Sequence, residues 1–287
     1  MRRLLILAAI GASLAAGIAL LGTAGVDVSR HDVTALERRV PVRTALMRRR
    51  SAEARIRGRD PRVDQRWVPY ARISPMLRRA VLVAEDDAFF SHGGLDWDEL
   101  RASMQRNLEA GRIVRGGSTI TQQLARNLYL DNERTLTRKL KEAVLAHRLE
   151  RALTKRRIFE LYLNLIEWGD GIYGIEAAAQ RHFGVSAAAL DARRSALLAA
   201  VIINPRRYDP VRPDRRIVRR TRMILDRLRA RGFIGEAEYL VATGRAAPAP
   251  ASPDSASVGA GGDPEPTLEL PLIGPVTGPA PADTLPR

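Results

Sequence analysis

The pattern with the most chemistry in this 287-residue chain is a carboxylate that leaves an apolar run. Ala80-Val81-Leu82-Val83-Ala84 ends at Glu85, and Asp86, Phe89, Phe90, His92, Gly94 and Asp96 follow at once. A glutamate at the edge of apolar surface loses hydration in its charged form, which raises its pKa and suits it to proton transfer near neutral pH. A solvated acidic turn is the plainer alternative. A second stretch, Arg115-Gly116-Gly117-Ser118-Thr119-Ile120-Thr121-Gln122-Gln123-Leu124, sets glycines ahead of hydroxyls and paired amides, which suit a substrate rich in hydroxyl and phosphate. Gly94, Gly116 and Gly117 serve turns or close backbone approach. Arg138, Lys139 and Glu142 follow at helical spacing, which on its own reads as surface ion pairs worth about 0.2 to 0.5 kcal/mol each. His92 reads as a hydrogen-bonded imidazole supporting the site, and Tyr162 as core.

These residues need elements to hold them. Ser74 is placed to cap a helix starting at Pro75, with Leu77, Val81 and Ala84 on one face and Glu85 at its end. Helical spacing recurs over Trp97 to Leu108 and stops at Gly111. The glycine-rich stretch leads into a helix through Gln122, Gln123 and Leu124. From Thr135 an amphipathic helix sets Leu136, Leu140, Ala143, Val144 and Leu149 against Arg138, Lys139, Lys141 and Glu142. Another runs from Thr154 and breaks at Gly169-Asp170-Gly171. Three more cover 174–183, 189–203 and 214–231. Very little reads as strand, so the expected class is mainly α, in a domain over 67–244.

The flanks differ from this domain. Arg2 and Arg3 precede an uncharged apolar stretch, Leu4 to Val26, long enough at about 1.5 Å per residue to cross a hydrocarbon core of roughly 30 Å. A cleaved signal peptide is the competitor, but its apolar region normally runs only about 7 to 15 residues. The two arginines keep the N-terminus cytoplasmic. The expectation is residues 1–26 as a cytoplasmic N-terminus and single-pass inner-membrane anchor, with the domain in the periplasm. Residues 27–66, rich in arginine, read as a basic juxtamembrane linker or a short juxtamembrane helix, and 245–287, rich in Ala, Pro, Gly and Ser, as a disordered tail.

A net charge of +15 favours phosphate-bearing or anionic-membrane partners. Nucleic acid is not expected, because aromatics are 5% and no groove-reading motif is present. All but three of the 47 basic residues are arginine, and the three lysines, Lys139, Lys141 and Lys155, fall in one short segment. The chain lacks cysteine, which removes disulfides and thiolate metal sites.

Four ordered motifs combine these features: Glu85-Asp86-x-x-Phe89-x-x-His92-x-Gly94-x-Asp96; Arg115 to Leu124; Arg138-Lys139-x-x-Glu142; and Lys155-x-x-Ile158-x-Glu160-x-Tyr162-Leu163-Asn164. Together they resemble the peptidoglycan glycosyltransferases, specifically the monofunctional, membrane-anchored biosynthetic transglycosylases (glycosyltransferase family 51), over about Trp67 to Asp209. The resemblance implies a lysozyme-like helical fold with a cleft between a small and a large lobe. It implies inverting polymerisation of lipid II into a growing glycan strand, with undecaprenyl diphosphate leaving. Glu85 matches the general base and Glu142 the second catalytic carboxylate. Ser118, Thr119, Gln122, Gln123, Arg126, Arg134, Arg138 and Lys139 match substrate or diphosphate positions, and Asp86, Phe89, His92, Gly94 and Asn164 support them. Glu142 acts in this reading either through a divalent cation, Mg or Mn, as its ligand, or by orienting the basic groups. Arg126 stands where the family usually has lysine, which keeps the charge and changes the geometry. No Ser-x-x-Lys occurs, so cross-linking is expected from a separate transpeptidase among the cell-wall synthesis partners. A lysozyme-like hydrolase using Glu85 as general acid, and a non-catalytic membrane scaffold, are the competing readings.

Overall fold

The computed structural model describes residues 31–111, 117–130 and 135–246. The expected anchor, the expected tail beyond Ala246, Arg115, Gly116 and Arg134 lie outside them. Among the described residues no helix is long and apolar enough to cross a membrane.

Ten α-helices and a small sheet make up the described residues. They are α1 (Ala45–Ile56), α2 (Pro75–Glu85), α3 (Trp97–Glu109), α4 (Ile120–Tyr129), α5 (Leu136–Ala152), α6 (Lys155–Leu165), α7 (Ile175–Phe183), α8 (Ala192–Val201), α9 (Arg215–Ala230) and α10 (Glu236–Ala242). Seven of them start from the same chemistry. The side chains of Thr44, Asp96, Thr119, Thr135, Thr154, Asp191 and Asp214 each accept the backbone N–H three residues on, filling a donor that a helix start leaves unpaired. Ser74 departs from the expectation. Its hydroxyl donates instead to the Leu190 carbonyl at 2.7 Å, and α2 starts on Pro75 without a side-chain cap.

The helices bury one main core, and a small second cluster lies against α1. α8 is buried at Ala192 and from Ser195 through Val201, and α2 and α9 both pack on it, while α4 packs on α5 and α6. Leu77, Phe89, Leu124, Leu145, Phe159, Tyr162, Trp168 and Leu198 are fully buried in that core.

The region expected to be a linker is folded over its described part. Val33 and Leu36 enter the main core, and Leu46 and Met47 of α1 close on Tyr173. Strand β1 (Asp64–Gln65) runs parallel to β3 (Ile172–Tyr173), which pairs antiparallel with β2 (Glu167–Gly169). The arginines of this region are partly internal. Arg50 binds the buried Glu167 at 3.0 Å, so a basic composition here conceals a structural ion pair. The turn between β2 and β3 needs Gly171, at φ +76, because a Cβ would meet the Arg62 backbone oxygen at 2.8 Å.

Candidate active site

Glu85 ends α2 because the helix buries Leu77, Ala80, Val81 and Val83 and then runs out of core. Its side chain is 12% exposed. Oε1 accepts from Arg220 Nη2 at 2.7 Å and Oε2 accepts from Gln123 Nε2 at 3.0 Å. Gln123 Oε1 in turn accepts from the Tyr162 hydroxyl at 3.0 Å. Burial lifts the Glu85 carboxyl above its ordinary pKa and Asp86 adds to the lift, while the Arg220 charge and the Gln123 and Arg220 hydrogen bonds pull it down; the net direction is up. Arg126, on α4 just past Gln123, feels both Tyr162 and Glu85, and burial lowers its pKa against their pull.

A knot of hydrogen bonds fixes the loop after Glu85. Asp86 Oδ2 accepts the Ile120 N–H at 2.8 Å, a carboxylate on the positive start of α4. His92 Nε2 meets Asp86 at 3.0 Å, while its Nδ1 accepts the Gly94 N–H at 3.2 Å, which assigns the proton to Nε2. The Thr119 hydroxyl donates to the Gly94 carbonyl at 2.7 Å and accepts from Gln122, whose own amide oxygen takes the Thr119 N–H. That reciprocal capping box uses the polar atoms of Thr119 and Gln122 inside the protein. The sequence pattern points to both side chains as substrate-binding, and the structure shows them in this local task. Gly94, at φ +91, lies against Glu150 and the Ala146 carbonyl, where a Cβ would crowd. Phe89 is fully buried, edge-on to Phe90, with Lys155 Nζ 4.3 Å from its ring centre.

The basic face lies on α5 and the last turn of α4, where Arg126 sits, with Ser118 just ahead of α4. Lys139 Nζ donates to Ser118 Oγ and to Glu142 Oε2, both at 2.7 Å, and Arg138 Nη1 donates to Glu142 Oε1. Glu142 is 1% exposed, so this is not the surface ion pair that its spacing suggests. Burial first, then Arg126 and Arg138, pull the Lys139 ammonium down to about 8. Lys139 and Arg126 are thus near enough to repel, and the basic residues form one group.

The surroundings of Glu142 do not fit a divalent cation, because each carboxylate oxygen already accepts from a cationic side chain. Asp86, His92 and Asp96 also lie close together, but their hydrogen bonds to Ile120, Gly94 and Glu99 give each a structural task.

Asn164 sits apart from this group. Fully buried, it accepts the Val68 N–H and donates to the Val68 and Glu160 carbonyls, all at 2.9 Å. Arg220 is the charged partner that sequence reasoning missed. It lies in an arginine-crowded helix, and nothing local marks it among its neighbours.

A transglycosylase family profile matches residues 53–229. The chain belongs to the transglycosylase family. Its relatives include the "Biosynthetic peptidoglycan transglycosylase" of Laribacter hongkongensis, 47% identical over 188 residues, covering 66% of this chain and 82% of the relative. Proteins of the same name from Methylobacillus flagellatus and Chromobacterium violaceum are each 48% identical, over 66% and 61% of this chain and 82% and 78% of theirs. In this transglycosylase, Arg126 links an acid held by Arg220 and Gln123 to a basic group built around Lys139, which suits a reaction that removes a proton at one place and stabilises an anion at another.

Proposed function

We propose that the chain is a peptidoglycan glycosyltransferase that polymerises lipid II with inversion, releasing undecaprenyl diphosphate. Family membership and the relatives' shared name support glycosyl transfer to peptidoglycan. The observation that carries the finer reading is the pairing of Glu85, buried with a raised pKa, with the clustered cations Arg126, Arg138 and Lys139.

In this mechanism Glu85 takes the proton from the acceptor's 4-hydroxyl as that oxygen attacks the donor's anomeric carbon. The bond to the lipid diphosphate breaks, and its electron pair leaves on the diphosphate oxygen. Attack from the face opposite the leaving group inverts the centre. Arg126, Arg138, Lys139 and Ser118 receive the growing negative charge, and Arg134 is proposed to join them. Glu142 serves by orienting Arg138 and Lys139. Hydrolysis of a neutral glycan would have no use for such a cationic group. The lysozyme-like, two-lobed form, the Leu4–Val26 anchor, the periplasmic placement of the domain and a separate transpeptidase partner belong to the same proposal.

The test is polymer formation from lipid II by the purified full chain. Glu85→Gln should lower the rate by about 10²- to 10⁴-fold, the usual contribution of a general base. Release of fragments from intact sacculi without polymer would sink the proposal in favour of a hydrolase.

A further inference from the structure

The Tyr162 ring is fully buried in the core, where packing alone would be served equally well by phenylalanine, and its hydroxyl reaches toward Gln123 and the charged groups of the site. Its hydrogen bond goes to Gln123 Oε1, and it is the partner the structure shows for that atom. Gln123 has two possible amide orientations, and the chain of bonds selects one. An ionised Glu85 can only accept, so Gln123 must turn its Nε2 toward it, and Oε1 is then left facing a donor site inside the protein. Tyr162 fills that site. Its phenol is held well above its ordinary pKa by burial first and by Glu85 second, so it keeps its proton and donates.

We propose that Tyr162 is a positioning residue for Glu85, acting through the amide of Gln123. This rests on the reading of Glu85 as the general base. Without the hydroxyl, rotating the Gln123 amide half a turn costs nothing at the Tyr162 end and lets Oε1 accept from a protonated Glu85. A hydrogen bond that only the protonated acid can donate favours that form, so the base holds its proton to higher pH. The other charged groups facing Glu85 are Arg220 from α9, Arg126 from α4 and Asp86 beside it, and Tyr162→Phe leaves all three in place.

The experiment measures initial rates of lipid II polymerisation by the full chain across pH, for wild type, Tyr162→Phe, Gln123→Met and the double variant, with melting temperatures for each. Tyr162→Phe should lower kcat about tenfold, leave KM within about twofold and move the acid limb of the kcat profile to higher pH. In the Gln123→Met background the same substitution should not move the limb further, since the relay is already cut. A limb unmoved in Tyr162→Phe, or moved as far in the Gln123→Met background as in wild type, would overturn the proposal. Glu85→Gln separates the two layers. If that variant still polymerises, the base reading fails and this proposal with it; if it is inactive while the Tyr162→Phe limb stays put, only this proposal fails.

Discussion

At Glu85, burial and charge pull in opposite directions, and the largest pull against burial comes from one long-range arginine. Arg220 lowers a carboxyl that burial raises. Removing the guanidinium in Arg220→Met should therefore push the Glu85 pKa further up. The base would stay protonated to higher pH, so the acid limb of kcat/KM should move upward and the rate near neutrality should fall. Arg220→Lys, which keeps a cation, should move the limb less. A limb that stays in place or moves down in pH–rate profiles of Arg220→Met would show that Arg220 does not tune the acid. Residue spacing misleads in the same way at Glu142. Its partners at three and four residues' distance are those the spacing predicts, but its burial changes what they mean, because a carboxylate away from water needs both.

Two elements meet to make the site, and the join is polar. The end of α2 carries Glu85 and Asp86, and the start of α4 offers the Ile120 N–H to Asp86 while Thr119 ties the loop at Gly94. Thr119 is 3% exposed, so its removal leaves buried groups unpaired. Thr119→Ala deletes the cap of α4 and the donor to the Gly94 carbonyl, and should cost about 2 kcal/mol. Urea denaturation measures this. A loss below about 0.5 kcal/mol would mean that α4 starts equally well without its cap. Because Gln123 rides on α4, the same variant should also slow catalysis.

Across the whole molecule, α6 is the post from which an early segment hangs. Asn164 grips both polar backbone atoms of Val68, and Glu160 Oε1 accepts the Tyr70 N–H at 2.8 Å. Behind this, Gly174 at φ +79 lies so close that a Cβ would stand 2.6 Å from the Asn164 carbonyl oxygen. Asn164→Leu abolishes three buried hydrogen bonds and should destabilise the protein by about 3 kcal/mol, seen as a lower urea midpoint with an unchanged slope. A variant as stable as wild type would show that packing alone holds the segment to α6.

Much of this was legible in the chain itself. Helix starts could be read because a Thr or Asp at the cap and an apolar stripe behind it are local features, and so could the place of Glu85 at the end of an apolar run. The order of the motifs was equally plain. The bounds and packing of α1, the three short strands and α10 were not. Their apolar residues are few and gain meaning only from partners such as Tyr173, which Leu46 and Met47 meet across the fold. The contacts of the base itself were also decided only by tertiary structure. Gln123 lies 38 residues from Glu85, Tyr162 lies 39 from Gln123, and Arg220 lies 135 from Glu85. Sequence periodicity says which way a side chain points on its own helix. Which charge it meets there depends on how the helices pack, and that packing made an acid at the end of α2 into one held by α4 and α9.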